Sequence, residues 1–177
     1  MRLETGQTII TDTGSHQVLS SSPVLFTSQA EMREQLLTVT RTAEHHLTLW
    51  SRDLNSGLFE TAGFLDVLKR FLLVRRHPRV KLLTTPFNEH DRKHPLLLMA
   101  ERLPHSFEVR TCENTHLESA ELLLADERGV LYRIHADRWD GMADIYDPQV
   151  ARFYGVQFDK AWCAAQLLPS FDQVVNQ

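Results

Sequence analysis

The sequence predicts an α/β domain built on a mostly parallel, mixed sheet with helices on both faces. Three observations carry that expectation. Strand-like and helix-like stretches alternate along the chain, the segment Ala120 to Ala125 is nearly all apolar as in a strand covered on both sides, and helix starts are marked by capping residues.

Residues 1–22 read as an N-terminal hairpin or extension, with TIITDTGSHQVL supplying two short strands around a Gly-containing turn, and residues 23–177 as one domain. A short strand at Val24 to Phe26 precedes Ser28, which stands three residues before Glu31 in a capping box and so starts a helix with Met32, Leu36, Val39 and Ala43 on its apolar face. His46 to Ser51 alternates as a strand does. A second helix follows with Phe64, Leu68, Phe71 and Leu72 as its stripe, and His77-Pro78 stops it because proline disfavours helical geometry in the residue before it. Arg79 to Thr84 is the next strand, Pro95 opens a third helix, and Ser106 to Thr111 alternates again. Ala120 to Ala125 and Val130 to Ile134 then form a central hairpin around Asp126-Glu127-Arg128-Gly129. Asp147-Pro148 starts a last helix through Val150, Tyr154, Phe158 and Trp162.

A length of 177 residues suits a single domain, and 42% hydrophobic with 24% charged residues places the chain among ordinary globular proteins. Cys112 and Cys163 are far apart and form no C-x-x-C pair, so neither a disulfide framework nor a thiolate zinc site is expected. With no apolar core of signal-peptide length and no run of about 20 apolar residues, the sequence predicts a cytoplasmic protein without a membrane partner. A formal charge of -4 argues against a broadly basic nucleic-acid binder. Lys69, Arg70, Arg75, Arg76, Arg79 and Lys81 nevertheless crowd together, either as the solvated end of a helix, where cations complement the dipole, or as a phosphate-facing patch.

No G-x-G-x-x-G, P-loop or G-x-S-x-G motif occurs, and no cofactor is implied. His90 and His94 have the spacing of two metal ligands on one helical turn, but Pro95 interrupts that helix and no third ligand is spaced to join them, so no metal site is expected. His45 and His46 would point to opposite sides of a strand. Arg52 and Asp53 close a strand where ligands of open α/β sheets gather; Arg52 is placed to hold an anion, with local pairing of the two residues as the alternative.

The order of strand, LWSRDLNSGLF loop, helix, RVKLLTT, HPLLLMAERLP, FEVRT and ELLLADERGVLYR, with FDKAW in the last helix, resembles one half of the phospholipase D-like fold. The similarity spans roughly Val24 to Leu168 and is closest to a bacterial family of shortened, divergent phospholipase D-like domains. Active members of the superfamily carry His-x-Lys-x4-Asp, in which histidine attacks phosphorus, lysine steadies the phosphate oxygens and two half-sites complete the centre. Anchored on Asp126, the corresponding stretch here is Ser119 to Asp126: Ser119 stands for the histidine and Glu121 for the lysine, and only the aspartate matches. A frame begun at His116 places Glu118 and Leu123 at the other two positions and restores nothing. A phosphoryl intermediate needs an activated nucleophile and nearby positive charge, so the ordinary chemistry is expected to be lost.

The leading expectation is therefore a catalytically inactive phospholipase D-like domain acting as a binding or regulatory module. The resemblance implies a homodimer; an unknown protein or an anionic ligand is the further partner. Its candidate ligand-binding residues are Arg52, Asp53, His116 and Asp126, with no catalytic residue, no metal and no cofactor. One alternative is a hydrolase using those four residues as a non-standard site, and another is a nucleic-acid-binding protein. Asp126 also has a structural expectation, as an acceptor for backbone N–H groups of its own turn, with Gly129 supplying the unusual backbone conformation.

Overall fold

The structure, a computed structural model, describes residues 22–54, 56–86, 91–113 and 121–167. The hairpin or extension expected before residue 22 lies outside them. Strand β1 (Val24–Phe26) leads into helix α1 (Gln29–Arg41), where the capping box is present in both directions: Ser28 Oγ accepts from the Glu31 N–H at 3.3 Å, and the Glu31 carboxylate accepts from the Ser28 N–H at 3.2 Å. Strand β2 (His46–Ser51) is followed by α2 (Ala62–Val74), which ends ahead of His77-Pro78. Strand β3 (Arg79–Thr84) and a 3₁₀ turn (Asp91–Lys93) lead to α3 (Pro95–Arg102), with proline in its first turn and His94 Nδ1 accepting from the Leu96 N–H at 3.2 Å. Strands β4 (Phe107–Thr111), β5 (Glu121–Ala125), β6 (Gly129–Arg133) and β7 (Gly141–Asp144) precede α4 (Pro148–Ala164) and the short β8 (Gln166–Leu167).

Among the described residues the strands form one eight-stranded sheet in the order β1-β7-β6-β5-β2-β3-β4-β8. The α/β class and the mixed sheet are as the sequence suggested, but the parallel share is smaller: only β2–β3 and β3–β4 are parallel, and every other neighbouring pair is antiparallel. The reason lies in the connection from β4 to β5. Residues 112–120 number nine, fewer than the dozen or so a parallel crossover needs, so β5 starts at the end of the sheet where β4 stops and runs back beside β2.

Each face has its own apolar layer. Leu47 and Leu49 of β2, Val80 and Leu82 of β3 and Leu123 of β5 pack under α1, α2 and α3. The alternate residues Trp50, Leu83, Leu122 and Leu124 pack under α4 through Tyr154, Phe158 and Trp162. Gly141 lets the edge close over this core, since a Cβ there would overlap the Tyr132 carbonyl oxygen and the Phe26 ring.

Asp126 ties the β5–β6 turn to a distant part of the chain. It sits in the left-handed region with φ 55°, a conformation aspartate tolerates better than most residues, and its Oδ1 accepts from the N–H groups of His45 (3.0 Å) and His46 (2.9 Å) while Oδ2 accepts from Glu44 (3.0 Å). Its own N–H donates to the His46 carbonyl at 2.8 Å. The acceptor role expected for Asp126 is thus real, but the donors belong to the α1–β2 connection rather than to its own turn. Asp126, not Gly129, takes the left-handed conformation. Gly129 is needed for room, because a Cβ there would lie 3.0 Å from Ala125 Cβ and 3.3 Å from Val39 Cγ1.

Burial pushes the Asp126 carboxyl up, but the three N–H donors and the Arg128 guanidinium outweigh it and hold the pKa below the ordinary value. A folded pKa below the unfolded one gives stability that is complete above about pH 4 and disappears as pH falls through the folded value. Asp126→Ala is expected to cost about 2–3 kcal/mol in urea unfolding at pH 7, as for hydrogen bonds to a charged group, and Asp126→Asn less. The gap between wild type and Asp126→Ala should narrow in acid; a gap that is the same at pH 3 and pH 7 would contradict the clamp.

Candidate functional site

The polar part of the interior collects at one end of the sheet. Across neighbouring strands the register aligns Arg133 of β6 with Glu121 of β5, Glu121 with Ser51 of β2, Ser51 with Thr84 of β3, and Thr84 with Thr111 of β4. Arg133, Glu121, Ser51 and Thr84 in this row are buried, in a layer that is otherwise apolar. The row lies where β2 and β3 end and β5 begins, the position at which open α/β sheets bind ligands.

Glu121 and Arg133 form an ion pair whose side chains are 2% and 4% exposed, with Arg133 Nε donating to Glu121 Oε2. Arg133 Nη1 also donates to the carbonyls of Ala136 (3.1 Å) and Arg138 (3.0 Å), and the guanidinium stacks 4.3 Å over the Trp139 ring. These contacts hold Arg133 from three sides. Ser51 Oγ donates to the Asp53 carbonyl at 2.9 Å and Thr85 Oγ1 to the Arg52 carbonyl at 2.7 Å, which fixes the backbone leaving β2 and presents Arg52 and Asp53 to solvent. Beside this end, His94 Nε2 lies 3.7 Å from Glu60 Oε2.

The sequence-predicted residues do not converge on one spot. Arg52 and Asp53 share the end of Glu121 and Arg133. Asp126 lies at the opposite end of β2, six strand residues away or on the order of 20 Å at ~3.3 Å per residue, with both carboxylate oxygens taken by backbone N–H groups. His116 and Ser119 lie outside the described residues, as does His90. The basic cluster also divides: Arg79 donates to the His105 carbonyl and Lys81 approaches Asp159 at 3.7 Å on the sheet, while Lys69, Arg70, Arg75 and Arg76 project from α2 and the turn after it. Among the described residues no group of three His, Cys, Asp or Glu side chains is placed to hold a metal ion, and no helix is long and apolar enough to cross a membrane.

Sequence reasoning reached Glu121 but missed Arg133. The signal was available in the hairpin itself, because a turn at 126–128 that pairs Ala125 with Gly129 necessarily sets Glu121 opposite Arg133.

Comparison with solved structures places the fold. The chain superposes on Nuc from Salmonella typhimurium, a phospholipase D family member, with TM-score 0.57 and 12% identity, covering 84% of this chain and 100% of that one. NucT from Helicobacter pylori gives TM-score 0.58 and 11% identity over 83% and 99% of the two chains. TrmBL2, an archaeal chromatin protein, gives TM-score 0.64 and 14% identity over 85% of this chain, which spans 56% of its length. The fold is therefore that of a phospholipase D-like α/β domain. Residues 28–174 match the DUF7931 family, described as a domain of unknown function, and the chain belongs to that family. No curated protein matches it by sequence.

Removing one member of a buried ion pair strands the other charge, whereas replacing both by apolar groups of similar volume is close to neutral. Glu121→Ala and Glu121→Lys are each expected to cost about 3–5 kcal/mol, and Glu121→Leu combined with Arg133→Met much less than either single change. Denaturant unfolding of these three variants, together with Glu121→Leu and Arg133→Met each alone, checks this order. Additive losses in the double variant would show that the two side chains act independently.

Proposed function

We propose that this chain is a phospholipase D-like domain without phosphodiester chemistry, kept as a binding or regulatory module and paired as a homodimer. The observation that carries the reading is the buried Glu121–Arg133 pair. In the superfamily motif the lysine two residues after the histidine faces the phosphate; in this chain that position holds a carboxylate that would repel phosphate, and the nearest cation is held by it, by two carbonyls and by an indole ring. Ser119 in place of the histidine removes the family nucleophile.

The end of the sheet that serves catalysis in such enzymes is left to bind. Arg52 is its exposed cation and is the group proposed to meet an anionic ligand, with Asp53 beside it and His116 as the third contact. Asp126 belongs to the fold rather than to the ligand. A four-residue hydrolase centre including it has no support in this geometry, and nucleic-acid binding through the basic cluster has less support than a local anion site, since the cluster divides between α2 with the turn after it (Lys69, Arg70, Arg75, Arg76) and strand β3 (Arg79, Lys81).

Purified protein is expected to release no p-nitrophenol from bis(p-nitrophenyl) phosphate and to leave single- and double-stranded DNA intact, in the presence of chelator. Turnover that co-purifies with the protein through successive columns and withstands chelator would overturn the proposal.

A further inference from the structure

We propose that a groove on the opposite face and at the opposite end of the sheet, between α4 and the amino ends of β2 and β3, binds a small phosphorylated molecule. This goes beyond the reading above and does not depend on it, because it concerns neither Glu121 nor Arg52. The groove has a volume of about 840 Å³, within the range of roughly 300–1,000 Å³ typical of small-molecule sites.

Its floor breaks the pattern of the fold. Central strands of an α/β sheet are normally apolar on both faces, and under α4 they are so, at Trp50 and Leu83. Two and four residues earlier on the same face, β2 carries Thr48 and His46 while β3 carries Lys81 and Arg79, in register as two facing pairs. A two-by-two polar floor at the centre of a sheet departs from that pattern, and departures of this kind collect at functional sites.

The walls add cations from two other elements: Arg152 from α4 and Arg128 from the β5–β6 turn. Four carboxylates also line the groove, but three of them are engaged. Glu44 accepts from Arg128 at 2.8 Å, the Asp126 carboxylate accepts from three backbone N–H groups, and Asp159, which is 68% exposed, approaches Lys81 at 3.7 Å from the solvent side. Glu127 on the turn is the fourth. Arg79 donates to the neutral carbonyl of His105, and Arg152 has no carboxylate within ion-pair distance among the described residues, so neither is held in an ion pair there. Cations that line one groove from β3, α4 and a turn suit a tetrahedral, multiply charged group, whereas a planar carboxylate is met by a single guanidinium fork.

Titration calorimetry of the full chain at low ionic strength tests this with ATP, tripolyphosphate and citrate as probes. Saturable binding of ATP or tripolyphosphate is expected, with citrate at least about tenfold weaker. Lys81→Gln and Arg152→Ala should each weaken binding about tenfold, the size of one lost charge-assisted contact, with unchanged melting temperatures. Lys69→Ala, an exposed cation of α2 outside the groove, should leave affinity unchanged. Absence of saturable binding, equal binding of citrate, or equal weakening by Lys69→Ala would each overturn the proposal, the last by reducing it to unspecific attraction.

Discussion

The buried pair of Glu121 and Arg133 is the constraint on which the rest of the structure depends. Each charge is tolerable inside the sheet only because the other is there, so the β5–β6 hairpin has one acceptable register: a one-residue slip would separate the two and leave both buried charges unpaired. That register places the turn at 126–128, which brings the Asp126 carboxylate against the N–H groups of Glu44, His45 and His46. The clamp in turn fixes where α1 ends and β2 begins. Local charge chemistry at one end of the sheet thereby sets a contact at the other.

The same pair shows how a carboxylate is kept inside a phospholipase D-like fold. A lone glutamate at position 121 would be a buried uncompensated charge; an arginine directly across the hairpin makes it tolerable, and two carbonyls of the loop at 134–140 accept from the guanidinium Nη1. The polar row through Ser51 and Thr84 is buried, and Ser51 Oγ donates to the Asp53 carbonyl. Arg52 and Asp53 remain exposed at its edge, while the groove beneath α4 presents cations on the other face.

The parts of the fold that were legible in the sequence are those decided within a few residues. The Ser28–Glu31 box, Pro95 and Asp147-Pro148 mark helix starts because the groups they satisfy lie in the same turn. Strand β7, with Gly141 to Asp144, has too little apolar alternation to show itself, and its pairing with β1 joins Val24 to Ala143, far along the chain. The direction of β5 was hidden by the alternation of strands and helices, though the short β4–β5 connection contained the answer. In the site, the odd residue Glu121 was visible because a motif framed it. Its partner Arg133 and the donors to Asp126 were not, since long-range partners are set by register and packing rather than by local pattern.

The most direct measurement of the central claim is a crystal structure of the protein soaked with tungstate, a heavy tetrahedral mimic of phosphate. Arg133 is expected to stay on Glu121, stacked over Trp139, with no anion within hydrogen-bond distance of its guanidinium. Tungstate seated against Arg133, with the side chain drawn away from Glu121, would show that this end of the sheet holds a phosphate site and would contradict the commitment of Arg133 to Glu121.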